Sequence, residues 1–230
     1  ENDKLKIFKP DYERLQSVTL TRKYPLFRDI QRYTRHMIDG RFQGANKPDF
    51  SDSVDLYIIK DDPGVYYNEI KIKSDRKFKY YRYKGTFYTW SNVGDIEFYN
   101  DNKKATGEVI GAEGSNSSRN PPAAFDGDPL SFYEAKDWNA GWVGMAFDEP
   151  FKLEKIRFIA RTDYNIIVAG NMYELIYWDN GWRSLGRKIA TSSKLVYDNV
   201  PTGALFLLRN HTAGKEERIF AYENDQQVWW

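Results

Sequence analysis

The sequence predicts an all-β protein, a sandwich or barrel organised as two tandem copies of one unit, the first copy reduced. Three observations lead there. Aromatic residues are abundant, with 17 Tyr, 14 Phe and 7 Trp in 230 residues, and such side chains favour half-buried pleated surfaces. Short apolar runs alternate with polar ones and are punctuated by Gly, Pro, Asn and Asp at about 8–12-residue spacing. No segment holds a helical period over three turns.

In chain order, Leu5-Lys6-Ile7-Phe8 can form a short edge strand that Pro10 ends. Val18-Thr19-Leu20-Thr21-Arg22 is β-branched and reads as a strand, while residues 24–35, with Pro25 among scattered arginines, read as a long loop. Strands follow from Met37 into the turn at Gly40–Asn46, over Val54–Ile59, over Tyr66–Ile72 after the Asp61-Asp62-Pro63-Gly64 turn, over Phe78–Tyr83 and over Val93–Tyr99. The polar stretch Asn100–Thr106 is the expected boundary, giving domains 1–102 and 103–230. Beyond it come strands at Glu108–Gly111, Gly141–Phe147, Phe151–Ile159, the Trp-rich hairpin from Met172 through Trp182, Leu195–Tyr197, Ala204–Leu208 and Ile219–Tyr222. The apolar end Val228-Trp229-Trp230 is expected to fold back on the last sandwich.

The two halves match segment by segment. Val18–Arg22 corresponds to Ile156–Arg161, Gly40–Ile59 to Gly170–Ile189, and Tyr81-Arg82-Tyr83 with Asp95–Tyr99 to Phe206–Arg209 with Glu217–Tyr222. The last register is fixed only to within one residue, which in a strand decides the face.

Charge and composition exclude several classes. Lys plus Arg is 34 against 33 for Asp plus Glu, a net charge of +1, which argues against a nucleic-acid partner because that needs a concentrated basic face. With no cysteine, disulfide scaffolds, zinc–cysteine sites and thiol catalysis are out. No apolar run reaches the ~18 residues of a membrane span. The chain opens at Glu1 rather than Met, as expected of a processed product or an excised fragment.

One turn stands out as a site. Ala124-Phe125-Asp126-Gly127-Asp128-Pro129-Leu130-Ser131-Phe132 sets two carboxylates, a glycine, a proline and a hydroxyl between apolar anchors. Gly127 can take positive φ and Pro129 fixes its own, so the segment curls. Curled inward, its oxygens suit a hard cation such as calcium; curled outward, it is a solvated turn with acidic caps.

These residues also carry a resemblance. Ala123-Ala124-Phe125-Asp126-Gly127-Asp128 with Ser131 resembles the calcium loop of galactose-binding-like domains, the coagulation factor 5/8 C-terminal (discoidin) domains and family 32 carbohydrate-binding modules. Tyr80–Tyr83 with Asn92–Tyr99 resembles the closing strands of that family, and Gly40–Phe50 its central hairpin; together the likeness covers most of residues 18–99 and 108–224. It implies two jelly-roll sandwiches, the first lacking its front half, and a structural Ca2+ in the second. The ligands it implies are the carbonyls of Ala123 and Asp128, the side chains of Asp126 and Ser131, and a late carboxylate, Glu217 or else Glu216. Ser131 stands where the family more often has Thr.

For sugar-binding members the resemblance implies an arginine on the strand after the loop, here Arg161, with Trp138, Trp142 and Tyr164 as neighbouring aromatics and His211 at a loop edge. Gly127 and Leu130 depart from galactose binders, which carry a polar side chain and an aromatic there. Each residue has a plainer reading: Arg161 a structural salt bridge, Trp142 and Trp182 core packing, His211 a solvated loop side chain. The implied function is a non-catalytic module that binds a glycan or glycoprotein surface. It would be secreted, periplasmic or at the cell surface, and the chain's end is similar to C-terminal regions of large secreted Bacteroides-type proteins, some with a transglutaminase-like core. The alternatives are accessory domains packed on an upstream catalytic domain of the same polypeptide, or protein–protein adhesion of the discoidin type.

Catalytic patterns are few. His36 and His211 are far apart, and no Gly-x-Ser-x-Gly turn, His-Glu-x-x-His helix or phosphate-cradling loop occurs. The pairs Glu216-Glu217 and Asp126-Asp128 have the residue types a glycosidase needs, but Asp126 is better used on an ion. Asn116-Ser117-Ser118 and Asn210-His211-Thr212 match the N-glycosylation triplet.

Overall fold

The computed structural model describes residues 6–25, 28–139, 141–213 and 217–229; Glu216 and Trp230, both singled out above, lie outside them. The chain forms two compact units, a continuous one spanning Leu26–Tyr164 and a split one made of Glu1–Pro25 with Asn165–Trp230.

Among its described residues the continuous unit carries helix α1 (Arg28–Arg35) and nine strands: β2 (Arg41–Ala45), β3 (Val54–Ile58), β4 (Asn68–Lys71), β5 (Lys77–Lys84), β6 (Asp95–Asn100), β7 (Lys103–Lys104), β8 (Glu108–Gly111), β9 (Trp142–Lys152) and β10 (Lys155–Ile159). They make two antiparallel sheets, in the orders β3-β2-β5-β9-β8 and β4-β10-β6-β7. Both sheets give one face to a core that includes Phe42, Phe78, Tyr81, Tyr83, Phe98, Tyr133, Ile156 and Phe158. Strand β5 buries Phe78, Tyr81 and Tyr83, and its pairing with β9 is irregular between Phe78 and Tyr80. Phe78 faces Phe151 while Tyr80 faces Ala146, so the extra residues of this bulge lie on β9.

The split unit has seven strands: β1 (Asp11–Leu20), β11 (Met172–Trp178), β12 (Trp182–Ile189), β13 (Leu195–Thr202), β14 (Leu205–Asn210), β15 (Ile219–Glu223) and β16 (Gln226–Trp229). A two-stranded β1-β13 sheet faces a five-stranded one, β12-β11-β14-β15-β16, across Val18, Leu20, Tyr173, Leu175, Tyr197, Phe206 and Phe220. Trp229 does fold back, through β16, and meets Phe220 with ring centroids 5.0 Å apart.

The matched segments share one piece of topology, the sheet orders β3-β2-β5 in one unit and β12-β11-β14 in the other, and differ beyond it, since β6 pairs with β10 whereas β15 pairs with β14 and β16. The strands matched as Val18–Arg22 and Ile156–Arg161 have traded places. Strand β10 pairs with β4 of the first repeat, and β1 pairs with β13 of the second. The cause is local: only Leu153 and Glu154 separate β9 from β10. Strand β9 is fixed beside β5, and two residues are too few to carry the chain to another core. A division at residue 102 is therefore corrected, because residues 77–100 pair with residues 142–159. Strands β8, β9 and β10, which follow the first repeat, complete the sandwich around it. The loop expected over 24–35 contains helix α1. Of the edge strand expected at Leu5–Phe8, Leu5 lies outside the described residues and residues 6–8 form no strand; the strand expected at Val18 begins earlier, at Asp11. No helix among the described residues is long and apolar enough to cross a membrane.

Candidate functional site: an oxygen-lined loop and an aromatic ledge

In the continuous unit, two short 3-10 turns, Ser117–Arg119 and Pro121–Ala124, lead into the acidic loop. Asn116 starts the first by accepting the Ser118 N–H. Gly127 sits at φ +76, where a side chain would be strained. Asp126 Oδ1 accepts the Asp128 N–H at 2.8 Å, and Asp128 Oδ1 accepts the Leu130 N–H at 2.9 Å, so the carboxylates shape the loop they sit in.

Four oxygens converge on the Ser131 hydroxyl: the Ala123 carbonyl at 3.0 Å, Asp126 Oδ1 at 3.0 Å and Oδ2 at 2.8 Å, and the Asp128 carbonyl at 3.0 Å. A hydroxyl has a single proton to donate. Most of these contacts are thus between lone pairs, an arrangement that suits a hard cation better than a network of hydrogen bonds. The residues predicted as Ala123, Asp126, Asp128 and Ser131 are brought together.

The late carboxylate is different. Glu217 belongs to the split unit, where Arg209 Nε holds it at 2.8 Å. Beside the loop stands Asp95 on β6, whose Oδ1 accepts the Gly127 N–H at 3.3 Å and whose Oδ2 accepts the Tyr67 hydroxyl at 3.0 Å. Glu217 lies in the split unit, whereas β6 pairs with β10 in the continuous unit and so carries Asp95 to the loop. Asp95 is fully buried; burial, and then the charge of Glu97, push its carboxyl above the usual range. Burial and Asp95 likewise raise the Tyr67 phenol. No group of three His, Cys, Asp or Glu side chains able to hold a metal occurs among the described residues; the loop's donors are two carboxylates, two carbonyls and a hydroxyl.

Arg161 follows its plainer reading. Its side chain is 12% exposed, with Nη1 3.1 Å from Glu134 and Nε 2.8 Å from Asp163. The guanidinium carbon lies 3.9 Å from the Tyr33 ring centre and 4.0 Å from that of Phe132. Trp142 is half-buried on β9, 5.3 Å from the Phe50 ring and near Arg82. His211 lies in the split unit with Nε2 2.7 Å from Glu174, which also accepts the Ser184 hydroxyl at 2.6 Å. Hydroxyl and imidazole meet on the carboxylate, whereas a hydrolytic triad needs the imidazole between the other two.

Trp138 is exposed (45%) and touches a ring the sequence reading missed. Tyr88, 70% exposed, meets it edge-on at 5.1 Å, and Phe87 (72%) and Trp90 are exposed on the same loop as Tyr88. The ledge is held from below: the Trp90 carbonyl accepts the Ala135 N–H at 2.8 Å, and Ser91 Oγ donates to the Gly141 carbonyl at 3.0 Å. Side chains at Gly85 and Gly141 would come within 2.1 and 2.2 Å of that hydroxyl. Tyr88 and Ser91 both take positive φ, +62 and +51, a strain that needs a supporting structure. The run Thr86-Phe87-Tyr88-Thr89-Trp90 carried a signal, three aromatics between two predicted strands.

Tyr164 lines a pocket of about 400 Å³ with Arg119, Asp128, Ser131 and Phe132. One segment thus joins these features: Ser131 the acidic loop, Phe132 the pocket, Glu134 the two arginines and Trp138 the ledge, while Tyr133 and Ala135 anchor it in the core. No family model, no curated protein and no solved structure matches the chain.

Proposed function

We propose that the protein is a non-catalytic glycan-binding module, with galactose-binding-like units, whose binding face lies on the continuous unit. The observation that carries this reading is the exposed Tyr88–Trp138 ledge on a strained, well-supported loop. Rigid aromatic faces stack on the apolar faces of sugar rings. The ledge loops hold little charge, since Lys136 is tied to Glu113 at 3.0 Å, and that disfavours an anionic surface as partner. Calcium is proposed for the acidic loop, with ligands from Ala123, Asp126, Asp128, Ser131 and Asp95. It would neutralise the buried Asp95 and fix the segment that continues into the ledge. The secreted, periplasmic or cell-surface location is part of the same reading.

A glycan array probed with the full chain tests it. Binding lost in Trp138→Ala and Tyr88→Ala, at unchanged melting temperature, supports the proposal; binding equal in both variants refutes the ledge.

A second reading is favoured by the split unit, which exposes Tyr12, Leu15, Trp178, Trp182 and Ile189. That much apolar surface fits docking against another domain of a longer polypeptide, an upstream catalytic domain included.

A further inference from the structure

The pocket beside the ion loop has its own chemistry. At about 400 Å³ it lies at the small end of small-molecule sites, suited to one ring rather than a chain. Arg119 is pinned there: its Nη1 sits 2.6 Å from Glu134 and its guanidinium 4.8 Å from the Phe132 ring. Among the described residues only Nη1 takes part in a hydrogen bond, so Nε and Nη2 remain as an ordered pair of donors. Asp128 lines the same pocket; its Oδ1 accepts the Leu130 N–H, and its other carboxylate oxygen, with no hydrogen bond among the described residues, is available as an acceptor. Tyr164, 61% exposed, is turned out by successive positive φ angles at Asp163 and Tyr164, +45 and +67, while Asp163 is tied to Arg161. Phe132 has Arg161 and Arg119 stacked on it, which leaves Tyr164 as the aromatic with a free face.

A planar donor pair, a carboxylate acceptor and one aromatic face match a ring bearing adjacent hydroxyls. Hydroxyls both donate and accept, a guanidinium holds two neighbouring oxygens at once, and the ring's C–H face stacks on an aromatic. An anionic sugar would meet the repulsion of Asp128. The ledge lies along the same segment: Phe132 to Trp138 is six residues, at most about 20 Å of extended chain, a distance that several linked sugars can cover.

We propose that the Arg119–Tyr164 pocket seats the terminal neutral pyranose of a glycan whose next rings lie on the Tyr88–Trp138 ledge. This rests on the glycan reading above. The test uses the full chain and saturation-transfer NMR with the methyl glycosides of glucose, galactose, mannose, N-acetylglucosamine and glucuronic acid. A set of neutral oligosaccharides of two to six units is titrated alongside. At least one neutral monosaccharide glycoside is expected to bind. Tyr164→Ala and Arg119→Gln should weaken it at least tenfold, Tyr164→Phe should retain it, and Trp138→Ala should remove only the gain from longer chains. Monosaccharide binding lost in Trp138→Ala but kept in Tyr164→Ala would overturn the pocket and leave the glycan reading standing. A preference for the glucuronide would overturn the neutral assignment. Failure of every monosaccharide and oligosaccharide to bind would sink both.

Discussion

Replacing Asp95 by Asn should change stability in opposite directions with and without calcium. Asp95 is fully buried, next to Glu97, makes no ion pair among the described residues and feels only the nearby charge of Lys104; it accepts hydrogen bonds from the Gly127 N–H and the Tyr67 hydroxyl. Replacing a buried charge that is only partly compensated by an isosteric neutral group is worth on the order of 1–3 kcal/mol. The asparagine oxygen can still accept the Gly127 N–H, and its amide can donate to the Tyr67 oxygen. In chelator at neutral pH, Asp95→Asn is therefore expected to melt higher, by about 2–4 °C per kcal/mol. Calcium at about a hundred times its dissociation constant adds about 2.7 kcal/mol to the wild type, and the variant should show little of that gain. The sign with pH follows. A carboxyl raised in the folded state holds its proton more tightly there than in the unfolded chain. The calcium-free protein thus keeps this contribution below the unfolded value of about 4 and loses it as pH rises through the folded value. Scanning calorimetry of both proteins, in chelator and in calcium, reads all of this. A chelated variant melting several degrees below wild type, or an undiminished calcium shift in it, would refute the reasoning.

Other positions make equally direct predictions. The Tyr83 hydroxyl is buried with no hydrogen-bond partner among the described residues, so Tyr83→Phe should raise stability by about 1 kcal/mol in urea unfolding. Gln227 accepts from the Thr21 and Arg22 N–H groups and donates to the Arg22 carbonyl; Gln227→Leu should destabilise the split unit by about 3 kcal/mol, seen as an earlier transition in a denaturant melt. At Gly44 an added Cβ would lie 2.5 Å from Phe78 Cδ2, so Gly44→Ala should cost about 1–3 kcal/mol by overpacking, measured in the same way. Calcium binding by titration calorimetry should survive Glu217→Gln and be lost in Ser131→Ala.

The strands were legible because their burial alternates, as in β14, and because turn residues bracket them. Helix α1 was not, although Ile30, Tyr33 and Met37 recur at helical spacing: two turns beside Pro25 give too short a period to read. The acidic loop was legible since its geometry is local, built from side chains binding their own backbone two residues on. The carboxylate beside it was not, because Asp95 reaches the loop through strand pairing, and a repeat cannot reveal that its copies have exchanged strands. Arg161 carried a signal for a charged group but none for burial; Glu134 and Asp163, which occupy it, lie in different loops. Arg119 had no motif, and the Tyr88 ledge needed a fold to bring residues 86–90 beside Trp138.

The pairing of β10 with β4 and β6 decides where the acidic loop is assembled, and engineered cysteine pairs can read it directly, since the chain has no native cysteine. Lys155 lies opposite Lys71 in the β10–β4 pairing, whereas an unexchanged repeat would set it opposite Asp198, the residue that Ser17 contacts instead. Lys71→Cys with Lys155→Cys should oxidise to an intramolecular disulfide in the native protein, and Lys155→Cys with Asp198→Cys should not. The reverse result would contradict the exchanged pairing and, with it, the placement of Asp95 beside the acidic loop.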